Sequence, residues 1–187
     1  ASRLFEVREA VTATLKRLFP DVMVAPHPGK IDVSDIVEGQ SFTAPSLLVA
    51  AQRVGADLGT SAGQRATPLD FAVYVVAEDR AVAGRLVTRD EIALALCEAV
   101  ASLLNAPALE DTRWGVADIG APEAVDAKAV FTSKAYGGGR IYWAVTWRQT
   151  IYADAPLWDM DGLVPSDAPP PPLLAPGDPD YPAGGAP

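Results

Sequence analysis

Leu69-Asp70-Phe71-Ala72-Val73-Tyr74-Val75-Val76-Ala77 is the stretch that decides the fold class. In an extended chain Leu69, Phe71, Val73, Val75 and Ala77 share one face, while Asp70, Ala72, Tyr74 and Val76 share the other. Upstream, Ser46 to Val54 is apolar on both faces, as expected of an interior strand. A Gly-containing loop of about 13 residues separates the two. Downstream the period changes from two to that of a helix. Thr88 and Glu91 have capping-box spacing, which places a helix start there. Ile92, Leu96, Ala99, Val100 and Leu103 then line one face, widened by Leu94, Cys97, Ala101 and Leu104. Glu91, Glu98, Ser102 and Asn105 form a narrow wet stripe, and Pro107 lies just past the end.

The flanks extend the same pattern. Leu4, Val7, Val11, Leu15 and Leu18 predict a helix over residues 3–19, stopped by Pro20. Asp21 to Ala25 is a short strand candidate, and Pro26, Pro28, Gly29 and Gly39 mark a long loop after it. Ala127 to Tyr136 and Arg140 to Tyr152 flank Gly137-Gly138-Gly139 and predict a hairpin. Pairing Tyr136 with Arg140 places Ser133 opposite Trp143, Phe131 opposite Val145 and Ala129 opposite Trp147, small residues against large. That register also sets Lys128 opposite Arg148, which needs an acidic group between them. The expected class is therefore α+β: a twisted, mainly antiparallel sheet with two principal helices packed on it, a C-terminal hairpin and an extended Pro-rich segment.

Composition bounds the function. The 187 residues are 49% hydrophobic and 21% charged, the balance of a soluble domain. A net charge of −9 argues against a general grip on nucleic acid, which needs a Lys/Arg excess. One cysteine, Cys97, excludes an internal disulfide, and one histidine, His27, excludes a His-rich metal site. Arg3, Glu6, Arg8 and Glu9 are wrong for a signal peptide, and Ala1 is what removal of an initiator Met would leave, so a cytosolic chain is expected.

Charge and proline also divide the chain. Residues 154–187 hold six Asp, no Lys or Arg, and ten of the 17 prolines, leaving a charge of −3 on residues 1–153. Proline removes N–H donors and fixes φ, so this segment forms no helix or central strand. It is expected to be extended and PPII-like, with Trp158, Leu163, Leu173, Leu174 and Tyr181 as anchors that dock on the domain or on a neighbour. The expected units are a domain over 1–153 and an acidic extension over 154–187.

Strings that look catalytic do not assemble into a site. Gly59-Thr60-Ser61-Ala62-Gly63 matches the G-x-S-x-G elbow, but Gln64-Arg65-Ala66-Thr67-Pro68 cannot supply the helix that must follow the serine. His27, in Pro26-His27-Pro28-Gly29, reads as a loop residue, and Cys97 as a small core residue. Neither Asp32, Ser34, Asp35 and Glu38 nor Asp159-Met160-Asp161-Gly162 completes a calcium loop. Gly137-Gly138-Gly139-Arg140 opens no phosphate-binding helix. No enzyme, metal or cofactor is expected, and a structural or binding role is favoured.

The order of elements resembles that of the phage tail terminator, or tail-completion, proteins, in particular the branch of Mu-like contractile-tailed phages. Ala44-Pro45-Ser46-Leu47-Leu48-Val49-Ala50-Ala51, Asp70 to Ala77, the helix over 89–105 and Ile141-Tyr142-Trp143-Ala144-Val145-Thr146-Trp147 carry the resemblance, which covers residues 1 to about 152. It implies a small α+β virion protein, assembled in the host cytoplasm. Six copies would form a ring that caps the tail tube, ends its growth and meets the head–neck connector, and the sheath is a further candidate partner. DNA would pass through an acidic lumen without specific binding. The family brings no catalytic residues. Candidate assembly contacts are Tyr136 and Arg140 at the hairpin and Trp158, Leu163, Leu173, Leu174 and Tyr181 in the extension. The alternatives are another neck or tail adaptor subunit, and a serine hydrolase using Ser61.

Overall fold

A computed structural model of the chain describes residues 2–29, 31, 43–59, 64–106, 110–131 and 139–153. The elements are α1 (Arg3–Leu18), β1 (Met23–His27), β2 (Ser46–Val54), β3 (Leu58–Gly59), β4 (Arg65–Glu78), β5 (Arg80–Val82), β6 (Arg85–Val87), α2 (Arg89–Asn105), β7 (Glu123–Phe131) and β8 (Arg140–Ala153). A single 3₁₀ turn, Glu110–Arg113, follows α2. The main sheet runs β1-β2-β4-β8-β7, with β3 also beside β4. β1 is parallel to β2 and every other pair is antiparallel. The fold is α+β, as the periodicities indicate.

β4 and β8 form the axis of the sheet, paired without a break from Arg65↔Ala153 to Glu78↔Arg140. Leu69, Phe71, Val73, Val75 and Ala77 point to the face that carries both helices, where they meet Val7, Val11 and Leu15 of α1 and Ala93, Cys97, Val100 and Leu104 of α2. α1 covers β1 and β2, and α2 covers β4, β8 and β7. Burying each such side chain contributes roughly 1.5–3 kcal/mol, so this layer dominates the stability of the domain. The opposite face buries Leu48, Ala50, Ala72, Tyr74, Val76, Tyr142 and Ala144 together with Ile31.

β4 starts four residues before the predicted strand and takes Pro68 into the sheet interior. The Pro68 carbonyl accepts from Gly55 N–H at 2.7 Å, so in an antiparallel strand its nitrogen faces the same, β2, side. The β2 ladder has ended one pair earlier, at Val54↔Leu69, and the missing N–H costs no ladder bond.

α2 has the predicted bounds, and Thr88 Oγ1 accepts from Glu91 N–H. The other half of the expected box differs: the Glu91 carboxylate binds Arg85 at 2.8 and 3.0 Å, and Asp79 takes the Arg89 N–H at 2.7 Å. The buried stripe is Ala93, Cys97, Val100 and Leu104, while Ala99 is exposed and Leu94 is 50% exposed. The helix is thus less wrapped than its composition suggests.

The C-terminal pairing corrects the predicted register. Ala129 faces Trp143 and Ala127 faces Val145, a slide of four residues from the expected partners. Among the described residues the pair nearest the glycines is Phe131↔Tyr142. Over Ala127 to Ala129 this even slide keeps each side chain on its face and small still opposes large, while irregularities on either side shift the register again at Phe131 and Glu123. Lys128 faces Ala144 instead of Arg148, and Glu123 takes the place opposite Arg148, which removes the like-charge pair. Gly139 lies in the left-handed region at φ 66°; the rest of the predicted glycine turn lies outside the described residues.

Candidate functional site

The most exposed apolar structure in the described domain is a two-stranded arm. β5 and β6 pair through Arg80↔Val87, Ala81↔Leu86 and Val82↔Arg85. Ala83 (φ 50°) and Gly84 (φ 80°) are both left-handed, as a two-residue primed turn requires. Leu86 is 67% exposed and Val82 is 48% exposed. The turn end of the arm is tied to α2 by the Arg85–Glu91 ion pair, and at the arm's base Asp79 accepts from the Arg89 N–H at the start of α2. Sequence reasoning missed this arm; its signal was Ala83-Gly84 between two short runs, Arg80-Ala81-Val82 and Arg85-Leu86-Val87.

Beside the arm lies a groove of about 330 Å³. Val82 and Val87 form one wall, Ile92, Ala95 and Leu96 of α2 the floor, and Val22 with Pro45 the other wall. Arg80, Glu91 and Asp21 stand at its rim. This lining can hold an apolar, extended segment and offers no acid–base or nucleophilic group in a reactive setting.

The far face of the sheet is charged at one end. Asp70 accepts from Arg148 Nε at 2.8 Å and lies 3.5 Å from Arg53 Nη1. The hydrogen bond and charge of Asp70, with the Glu123 charge in support, raise the Arg148 pKa above its ordinary value. A depression of about 270 Å³ beside them is lined by Gln52, Asp70, Lys128, Thr146 and Arg148. The signs there neutralise one another, and exposed, solvent-screened pairs of this kind contribute little to stability.

Of the candidate contacts, Arg140 is described, and it is half-buried with Nε donating to Glu78, its sheet partner, at 3.3 Å. Tyr136, Trp158, Leu163, Leu173, Leu174 and Tyr181 lie outside the described residues, as do Ser61 and the two acidic strings. His27 is corrected from loop to strand: it ends β1, is buried, pairs Nδ1 with the Gly29 carbonyl at 2.7 Å and meets the Tyr74 ring edge-on. β1 itself sits two residues later than predicted. Cys97 is buried in the main core, and burial pushes its thiol up to about 11, the opposite of an activated nucleophile. Among the described residues no group of three or more His, Cys, Asp and Glu could hold a metal ion. Among them, too, no helix is long and apolar enough to cross a membrane. The chain matches no protein-family model and no curated protein.

Proposed function

We propose that this chain is a structural subunit of a phage tail, assembling as a ring of six that caps the tail tube, ends its growth and joins it to the head–neck connector. The observation that carries this reading is the β5–β6 arm, with Leu86 67% exposed, beside an apolar groove. Arm and groove lie on one edge of the subunit, and such a surface is stabilised when another protein covers it. A ring repeats one heterologous contact by rotation, so an arm from each subunit can meet its neighbour around the circle. The order of elements quoted above supplies the tail context, and the net charge of −9 suits a lumen through which DNA slides without sticking. The tube protein and connector bind the two faces of the ring, and the sheath is a further contact in a contractile tail. The test is electron microscopy of particles made with and without this chain. Tubes of regulated length carrying its density at their head-proximal end are expected. Normal tubes joined to heads in its absence would overturn the reading.

A further inference from the structure

We infer that the groove between the β5–β6 arm and α2 is the seat of the acidic Pro-rich segment 154–187 of a neighbouring copy; this rests on the ring proposed above. The groove is lined by Ile92, Ala95 and Leu96 of α2 and by Val82 and Val87 of the arm, an apolar lining that suits a chain with spaced apolar side chains. The segment supplies such a chain. Pro156-Leu157-Trp158, Leu163-Val164-Pro165 and Pro172-Leu173-Leu174 each set apolar groups beside a proline. Pro-rich chains are already extended and lose little entropy on docking into apolar grooves. The rim carries Arg80 together with Asp21 and Glu91, the last already paired with Arg85, so Arg80 is the rim group that can meet one of the segment's six Asp.

The choice of a neighbour follows from where the segment leaves the fold. β8 ends at Ala153 opposite Arg65, whereas the arm begins past Glu78↔Arg140, at the other end of the same pair of strands. At about 3.4 Å per residue the two ends are roughly 44 Å apart. Thirty-four residues of PPII reach about 100 Å, so length permits either route. Reaching its own groove requires the segment to run back along the full length of the β4–β8 pair. In the ring proposed above a neighbouring copy presents the same groove, and the experiment below separates the two routes.

The experiment uses the full chain with cysteine pairs. Val82→Cys is combined in turn with Trp158→Cys, Leu174→Cys and Tyr181→Cys, and each is matched by a variant carrying Val54→Cys in place of Val82→Cys. Val54 is 54% exposed and pairs with Leu69, near the end from which the segment departs, so random wandering of the tether favours it. Cys97 is buried and stays silent. Under mild oxidation at least one Val82 pair is expected to close ten-fold faster than its Val54 counterpart, with products between chains that run as dimers and larger species on a non-reducing gel. Equal or faster closure at Val54, or closure only within one chain, overturns the inference. Native mass of the same samples separates the two levels. A six-fold ring without the Val82 cross-link removes the groove assignment alone, whereas monomers throughout remove the ring and the neighbour with it.

Discussion

The Trp114 indole N–H donates to Gln149 Oε1 at 2.7 Å, joining residues 35 apart in the chain. Trp147 donates to the same oxygen at 2.9 Å, and Gln149 Nε2 donates to the carbonyls of Thr112 and Gly120 at 2.8 and 2.9 Å. All four hydrogen-bonding sites of a fully buried amide are filled. Around it the chain lines up with β8 through Ile119↔Ile151 and through Gly120 N–H to the Thr150 carbonyl. Gln149 is thus the pin that holds residues 112–120 against the sheet.

Gln149→Leu keeps much of the volume but strands two indole N–H groups and two carbonyls. At roughly 1–3 kcal/mol for each unsatisfied buried group, a loss of at least about 3 kcal/mol is expected. Urea unfolding monitored by tryptophan fluorescence measures it. A change under about 1 kcal/mol contradicts the pin.

Trp147 is 2% exposed and stacks on Phe71 at a centroid distance of 5.4 Å. Trp147→Ala is expected to cost about 3–5 kcal/mol through lost burial and the cavity it leaves. Far-UV circular dichroism against urea gives the value, and an unchanged midpoint would show that this face of β8 is misassigned.

Gly55 is required by close approach. A Cβ there would sit 2.6 Å from Pro68 Cγ and 3.2 Å from the Pro68 carbonyl oxygen, and the ring is held within β4. Gly55→Ala is expected to cost about 1–3 kcal/mol. At Gly59 a Cβ meets nothing within 4 Å, so Gly59→Ala should stay within about 0.5 kcal/mol. Paired thermal denaturation of the two variants checks the contrast, and equal shifts would contradict it.

What could be read from the residues follows the strength of local signals. α2 has the predicted bounds because Thr88 at its start and Pro107 beyond it agree with an uninterrupted helical period. β2 was legible as a continuous apolar run and the two faces of β4 from alternation. The β7–β8 register was not, because the glycines suggested a tight turn, and alternation is indifferent to an even slide. The arm was missed because Ala83 gives no warning of a positive φ. His27 was missed because its partners, Gly29 and Tyr74, arrive through the local turn and the neighbouring sheet. The groove joins Val22, Pro45, Val82 and Ile92 across four separate stretches, and no local pattern announces such a meeting.

Cys97 gives the domain an alkaline weakness. Burial pushes its thiol up to about 11 in the folded protein, against 9.0 for an ordinary thiol. Between these values the unfolded chain has lost a proton that the folded chain keeps, so stability is full below about pH 9 and falls as pH rises toward 11. Tyr142, also raised by burial with Arg140 opposing, adds to the loss above about pH 10. Cys97→Ala should flatten the curve between pH 9 and 10, recovering roughly 1 kcal/mol of pH-dependent loss. Urea midpoints at pH 8, 9 and 10 test this, and parallel curves for the two proteins contradict it.

The central claim is assembly, and native mass spectrometry of the full chain at micromolar concentration addresses it most directly, alone and with tail-tube ends present. A closed homomeric ring, six copies with no ladder of open intermediates, is the predicted result. Leu86→Glu, at a position 67% exposed in the single chain, should shift that population toward smaller species while leaving the unfolding midpoint in place. A strict monomer under both conditions contradicts the account.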